Sequence, residues 1–171
     1  MLMISLFVTL LFSCENKQYI NTYSSRIDSL AFVLDEYRSS LKTIDTSRIS
    51  QELHLIRQFL ANNERSGNIN SKDTVHLIQS VEKSFEEFLV AYPSLNNELE
   101  YGKLQLNSFR HDLNKSFLSE EQTALFFEQE KQSVQVLHLK ITYYQKLVKI
   151  NTQKLKRIKT GLDQLNDRDI H

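Results

Sequence analysis

Residues 119–166 read SEEQTALFFEQEKQSVQVLHLKITYYQKLVKINTQKLKRIKTGLDQLN, and their spacing decides the fold class. Phe127, Glu130, Val134, Leu137, Ile141, Tyr144, Val148, Asn151, Leu155, Ile158, Leu162 and Leu165 recur at alternating intervals of three and four. At 3.6 residues per turn these positions fall on one narrow stripe, the seam of a bundle or coiled-coil helix. Ser119 and Gln122 form a capping box at its start, with Ser119 as cap and Gln122 reaching back. Glu130 and Asn151 are polar residues on an otherwise apolar seam. Buried polar groups cost stability but fix register, which makes Asn151 a candidate register residue. Glu130 is expected where the seam is loose or open to solvent.

The same periodicity extends through the rest of the chain. Upstream run Ile78, Val81, Phe85, Phe88, Tyr92, Leu95, Leu99, Gly102, Leu106, Phe109 and Leu113. This series passes Pro93 without slipping phase, so a kinked but continuous helix is favoured over a chain reversal. Gly102 lies on the seam, where it either admits a close neighbour or weakens the helix. A first series, Ile20, Tyr23, Ile27, Leu30, Leu34, Tyr37, Leu41 and Ile44, slips by one residue at Asp45-Thr46-Ser47 and resumes at Ile49, Leu53, Ile56 and Leu60. Asp, Thr and Ser are capping residues, so the helix breaks or restarts there. Asn62 to Asn68 is the clearest loop.

Composition agrees with this reading. Three glycines, one proline and no tryptophan in 171 residues leave few turn signals. The expected fold is all-α: an elongated antiparallel helical bundle of three long helices spanning about 16–63, 71–117 and 119–166, the first broken near Asp45 and the second kinked near Pro93. A four- or five-helix bundle is the alternative if both positions are true breaks. The 21 basic and 21 acidic residues balance, where a nucleic-acid binder shows a basic excess.

Charge is nevertheless uneven along the chain. No acidic residue lies between Lys131 and Gly161, a stretch holding Lys140, Lys146, Lys149, Lys154, Lys156, Arg157 and Lys159. Folding the second segment on the third about residue 118 sets Lys154 near Glu82 and Lys149 near Glu86 and Glu87. Internal pairing is thus the first explanation of the basic run, ahead of contact with anionic lipid or an acidic partner.

No catalytic set emerges. A bundle di-metal site needs Glu-x-x-His pairs, and none occurs. No serine has the Gly-x-Ser-x-Gly context of a nucleophile elbow, and His111-Asp112 reads as a solvated patch. Neither metal nor cofactor is implied. Phe126-Phe127 and Tyr143-Tyr144 each place one aromatic ring on the seam, leaving the other for an interaction surface.

The N-terminus supplies the address. Leu2 to Phe12 is uncharged and apolar, and Leu11-Phe12-Ser13-Cys14 ends in the only cysteine of the chain. Eleven residues are too few for a spanning helix, which needs about 17–25, and fit a signal-peptide core of roughly 7–15. The tail resembles the lipobox of bacterial lipoproteins. That resemblance implies a signal peptide over 1–13, diacylglycerol on the Cys14 thiol, cleavage before it, and a mature domain over 14–171. It covers the leader alone. The expected protein is a lipid-anchored envelope lipoprotein at the outer membrane, facing the periplasm. It would act as a non-catalytic scaffold or adaptor with an envelope protein partner and no nucleic acid. The alternative is a carrier holding a lipid or other amphiphile between helices near Pro93 and Gly102.

Overall fold

The computed structural model describes residues 2–66 and 72–168, with side chains over 18–62 and 72–161. Cys14, Leu162 and Leu165 therefore lie outside the described side chains; Asn62 to Ser66, expected as a loop, is helical, and Gly67 and Asn68 lie outside the described residues. Four helices follow one another: α1 (Leu2–Lys42), α2 (Thr46–Ser66), α3 (Lys72–Asn114) and α4 (Glu120–Arg168). Among the described residues there is no strand. The protein is an all-α helical bundle.

The breaks have local causes. Asp45 separates α1 from α2 as an N-cap: its Oδ1 accepts the Arg48 amide at 2.9 Å and its carbonyl accepts that of Ile49 at 3.1 Å. Pro93 lies inside α3 without ending it. The missing amide and ring clash cost about 3 kcal/mol in a helix interior. Phe88 and Leu95, at 0 and 2% exposure, supply apolar burial on either side. Gly161 does not end α4, which continues to Arg168.

The turn between α3 and α4 is built at both ends. Ser116 adopts φ 56°, and the Phe117 and Ser116 amides bond the carbonyls of Asp112 and Leu113, each at 3.0 Å. This is a Schellman-type stop with serine where glycine is usual. The capping box then starts α4: Ser119 N–H donates to Gln122 Oε1 at 2.9 Å, and Gln122 N–H to Ser119 Oγ at 3.2 Å.

The chain forms two compact units, both drawing on α3 and α4. Unit 1 combines Met1–Ser39 with Asn97–Leu139. There α1 pairs with α3 through Asp28–Arg110, Asp35–Lys103 and Arg38–Glu100. Partner numbers fall on α3 as they rise on α1, so the two run antiparallel. Tyr23 meets Phe127 at 5.6 Å and Tyr37 meets His138 at 4.9 Å, so α4 runs parallel to α1. This gives the expected up-down-up order within the unit. Unit 2 combines Ser40–Asn96 with Lys140–His171 and packs α2 with the other halves of α3 and α4.

Every buried apolar side chain among the described residues belongs to one of the three seams. Unit 1 buries Ile27, Leu34, Leu99, Leu106, Leu113 and Val134 among others, and unit 2 buries Leu53, Ile78, Val81, Phe85, Phe88 and Ile141. Each such side chain contributes about 1.5–3 kcal/mol, so the seam is the main source of stability. Gly102 serves close approach: a Cβ there would lie 3.3 Å from Leu34 Cδ1.

Candidate functional site

Two surfaces stand out, one in each unit. In unit 1 a cleft of about 430 Å³ lies between α3 and α4. Phe109 and Phe126 meet edge to face across it, 6.3 Å between centroids. Tyr101 and Leu104 border it at 62 and 64% exposure, with Phe126 at 38%. Large apolar side chains clustered in the open are the usual mark of a contact surface. Phe126 is the off-seam member of its aromatic pair, as its position predicts, while Phe127 is buried. Tyr101 and Leu104 were not singled out by the seam. Their signal is out-of-phase apolar character three residues apart, which puts both on one helix face.

Glu130 borders this cleft and also a smaller one of about 200 Å³ beside Leu34, Gly102 and Val134. It is half-buried, as expected for a loose part of the seam, and burial raises its carboxyl above the usual range. Asn151 in unit 2 is buried at 3% exposure. Its Nδ2 donates to Leu147 O at 2.8 Å, one turn back in its own helix. Its Oδ1 has no partner among the described residues. With no side-chain hydrogen bond to another helix among the described residues, it does not hold register in the way a seam asparagine usually does.

The second surface is a groove of about 710 Å³ in unit 2, between α2 and α4. Ile49, Phe85, Val148 and Leu155 form its floor, and Arg48, Lys149, Lys156 and Lys159 stand along its rim. Lys159 is ion-paired with Glu52. Asp45, the other rim acid, caps α2. Among the described residues Arg48, Lys149 and Lys156 make no ion pair.

The pairing expected for the basic run is thereby corrected. Glu82 and Glu86 are taken by Arg57 of α2, at 3.0 and 3.1 Å. The two carboxylates lie four residues apart on one face of α3, a spacing the guanidinium fork spans. Glu87 accepts the Tyr143 hydroxyl at 3.2 Å, where folding about residue 118 had set Lys149. Neither Lys149 nor Lys154 has an acidic partner among the described residues.

Beside Gly102 the open space is the cleft of about 200 Å³ that Leu34 also lines, and Pro93 itself is exposed. Among the described residues no group of three or more His, Cys, Asp or Glu side chains is placed to hold a metal ion. No described helix is long and apolar enough to cross a membrane. Comparison with protein-family models, with curated proteins and with solved structures finds no match to this chain.

Proposed function

We propose that this chain is a lipid-anchored bacterial envelope lipoprotein whose helical bundle serves as a non-catalytic scaffold or adaptor through protein contacts. The observation that carries the adaptor role is the exposed apolar cluster of unit 1, Tyr101, Leu104 and Phe126 around Phe109. Aromatic anchors beside a cleft are the side chains that dominate protein interfaces. The anchor rests on Leu11-Phe12-Ser13-Cys14. Buried acyl methylenes contribute about 0.8 kcal/mol each, so two or three chains hold a protein stably where one gives reversible binding. The outer membrane, facing the periplasm, is the favoured location.

Cys14→Ser tests the anchor. The variant is expected to lose acyl label and to leave the membrane fraction or persist uncleaved. An unchanged, labelled membrane fraction would overturn the assignment. The adaptor role is tested separately, by crosslinking from the cleft.

A further inference from the structure

We propose that the unit 2 groove between α2 and α4 binds a single-chain lipid with an anionic headgroup. The groove combines two features. Its floor is apolar, made by Ile49, Phe85, Val148 and Leu155. Its rim carries Arg48, Lys149 and Lys156, three cations without an acidic partner among the described residues. Surface lysines and arginines on helices commonly meet carboxylates three or four residues away. On α4 no acid is available from Gln132 to Thr160, and Glu82, Glu86 and Glu87 of α3 are engaged by Arg57 and Tyr143. Of the acids that line the groove, Glu52 pairs with Lys159 and Asp45 caps α2, so Arg48, Lys149 and Lys156 are left for an external anion.

The shape favours one acyl chain. Small-molecule sites run from about 300 to 1,000 Å³, and the groove, at about 710 Å³, is open along one side. A single chain can lie along it, whereas a two-chain phospholipid would leave one tail in water. The aliphatic stems of Lys149 and Lys156 extend the apolar wall while their ammonium groups stay at the surface. Arg48 offers a planar fork for a phosphate or carboxylate. The unit 1 cleft supplies the contrast: it is equally apolar, but the charged side chains lining it are Asp112 and Glu130. An anionic headgroup would be repelled there.

The test is calorimetric titration of the full-length protein with lysophosphatidylglycerol below its micelle concentration. Saturable binding of one molecule is expected, with zwitterionic lysophosphatidylcholine at least tenfold weaker. Lys149→Gln combined with Lys156→Gln should weaken binding at least tenfold while leaving the helical circular dichroism unchanged. Thr152→Trp, an exposed position within the groove, should block binding by filling it without touching the core. Lys146→Gln combined with Arg157→Gln, outside the groove lining, should leave affinity within twofold. Equal loss in both charge variants would mean diffuse attraction and overturn the site. Equal affinity for inorganic phosphate would remove the role of the floor and also overturn it. Binding to anionic two-chain vesicles but not to the lysolipid would assign the rim to a membrane surface instead. Neither result bears on Cys14 or on the unit 1 cleft, so the two proposals fail separately.

Discussion

Unit 1 and unit 2 share α3 and α4, yet they distribute charge in opposite ways. In unit 1 the cations of α1 and α3 find acids on the neighbouring helix: Arg38 meets Glu100, Lys103 meets Asp35 and Arg110 meets Asp28. Beside its cleft large apolar side chains stay exposed, Tyr101, Leu104 and Phe126 foremost. In unit 2 Glu82, Glu86 and Glu87 of α3 turn to Arg57 and Tyr143, and Lys149 and Lys156 of α4 have no acidic partner among the described residues. The same architecture therefore offers an apolar face in one place and a cationic groove in the other. Exposed ion pairs contribute only about 0–1 kcal/mol each. Their arrangement consequently matters more for what the surface attracts than for stability.

Core truncation should affect both units strongly. Phe88→Ala in unit 2 and Leu106→Ala in unit 1 remove side chains of 0% exposure, at a cost of about 2–5 kcal/mol each. Thermal melts followed by circular dichroism measure both. A loss below 1 kcal/mol in either unit would mean that its seam is not a packed core.

Asn151 and Glu130 sharpen the comparison at the level of single polar groups. Asn151→Leu removes a buried carboxamide oxygen without a partner, and should stabilise by about 1–3 kcal/mol. A destabilisation would show that the amide has a structural role beyond its bond to Leu147. Glu130→Gln should give a smaller gain, and one that depends on pH. Burial raises the folded-state carboxyl pKa, so the fold favours the protonated form. The wild-type protein has that contribution in full below the ordinary carboxylate range and loses it as pH rises through the raised value. Glu130→Gln should therefore raise Tm at pH 7 and lose its advantage at pH 4. An advantage that grows on acidification would reverse the assignment.

The glycines probe packing with one substitution in two settings. At Gly161 a Cβ meets nothing within 4 Å, so Gly161→Ala should stabilise by about 0.5–1 kcal/mol through helix propensity. At Gly102 a similar propensity gain is opposed by contact with buried Leu34 at 3.3 Å. Gly102→Ala should come out close to neutral in denaturant titration. A gain at Gly102 equal to that at Gly161 would mean that α1 and α3 are less tightly packed than the contact implies.

The core and the helix ends were largely legible in the sequence. Period and capping chemistry are local properties, and α-helices report them directly: Asp45 caps, Ser119 and Gln122 form their box, and the off-seam ring of Phe126 stays outside. Charge pairing was less legible because it depends on three helices at once. Reading α3 against α4 alone paired Lys149 and Lys154 with the acids of α3, and could not foresee Arg57 reaching Glu82 and Glu86 from α2. The unit 2 groove was hidden for the same reason. Its lining comes from three helices, and the space between them exists only once those helices are packed. Asn151 was legible as a buried polar group, but not as one whose side-chain amide bonds the Leu147 carbonyl of its own helix.

The central claim is that the apolar cleft of unit 1 meets a protein partner in the envelope. The most direct measurement is photocrosslinking in living cells from a probe residue replacing Leu104, compared with one replacing Val90 in unit 2, which is 75% exposed and outside both surfaces. The account predicts one discrete protein adduct from position 104, lost when Tyr101→Ser and Phe126→Ser are added, and none from position 90. Equal adducts from both positions, or none from either in a correctly fractionated protein, would contradict it.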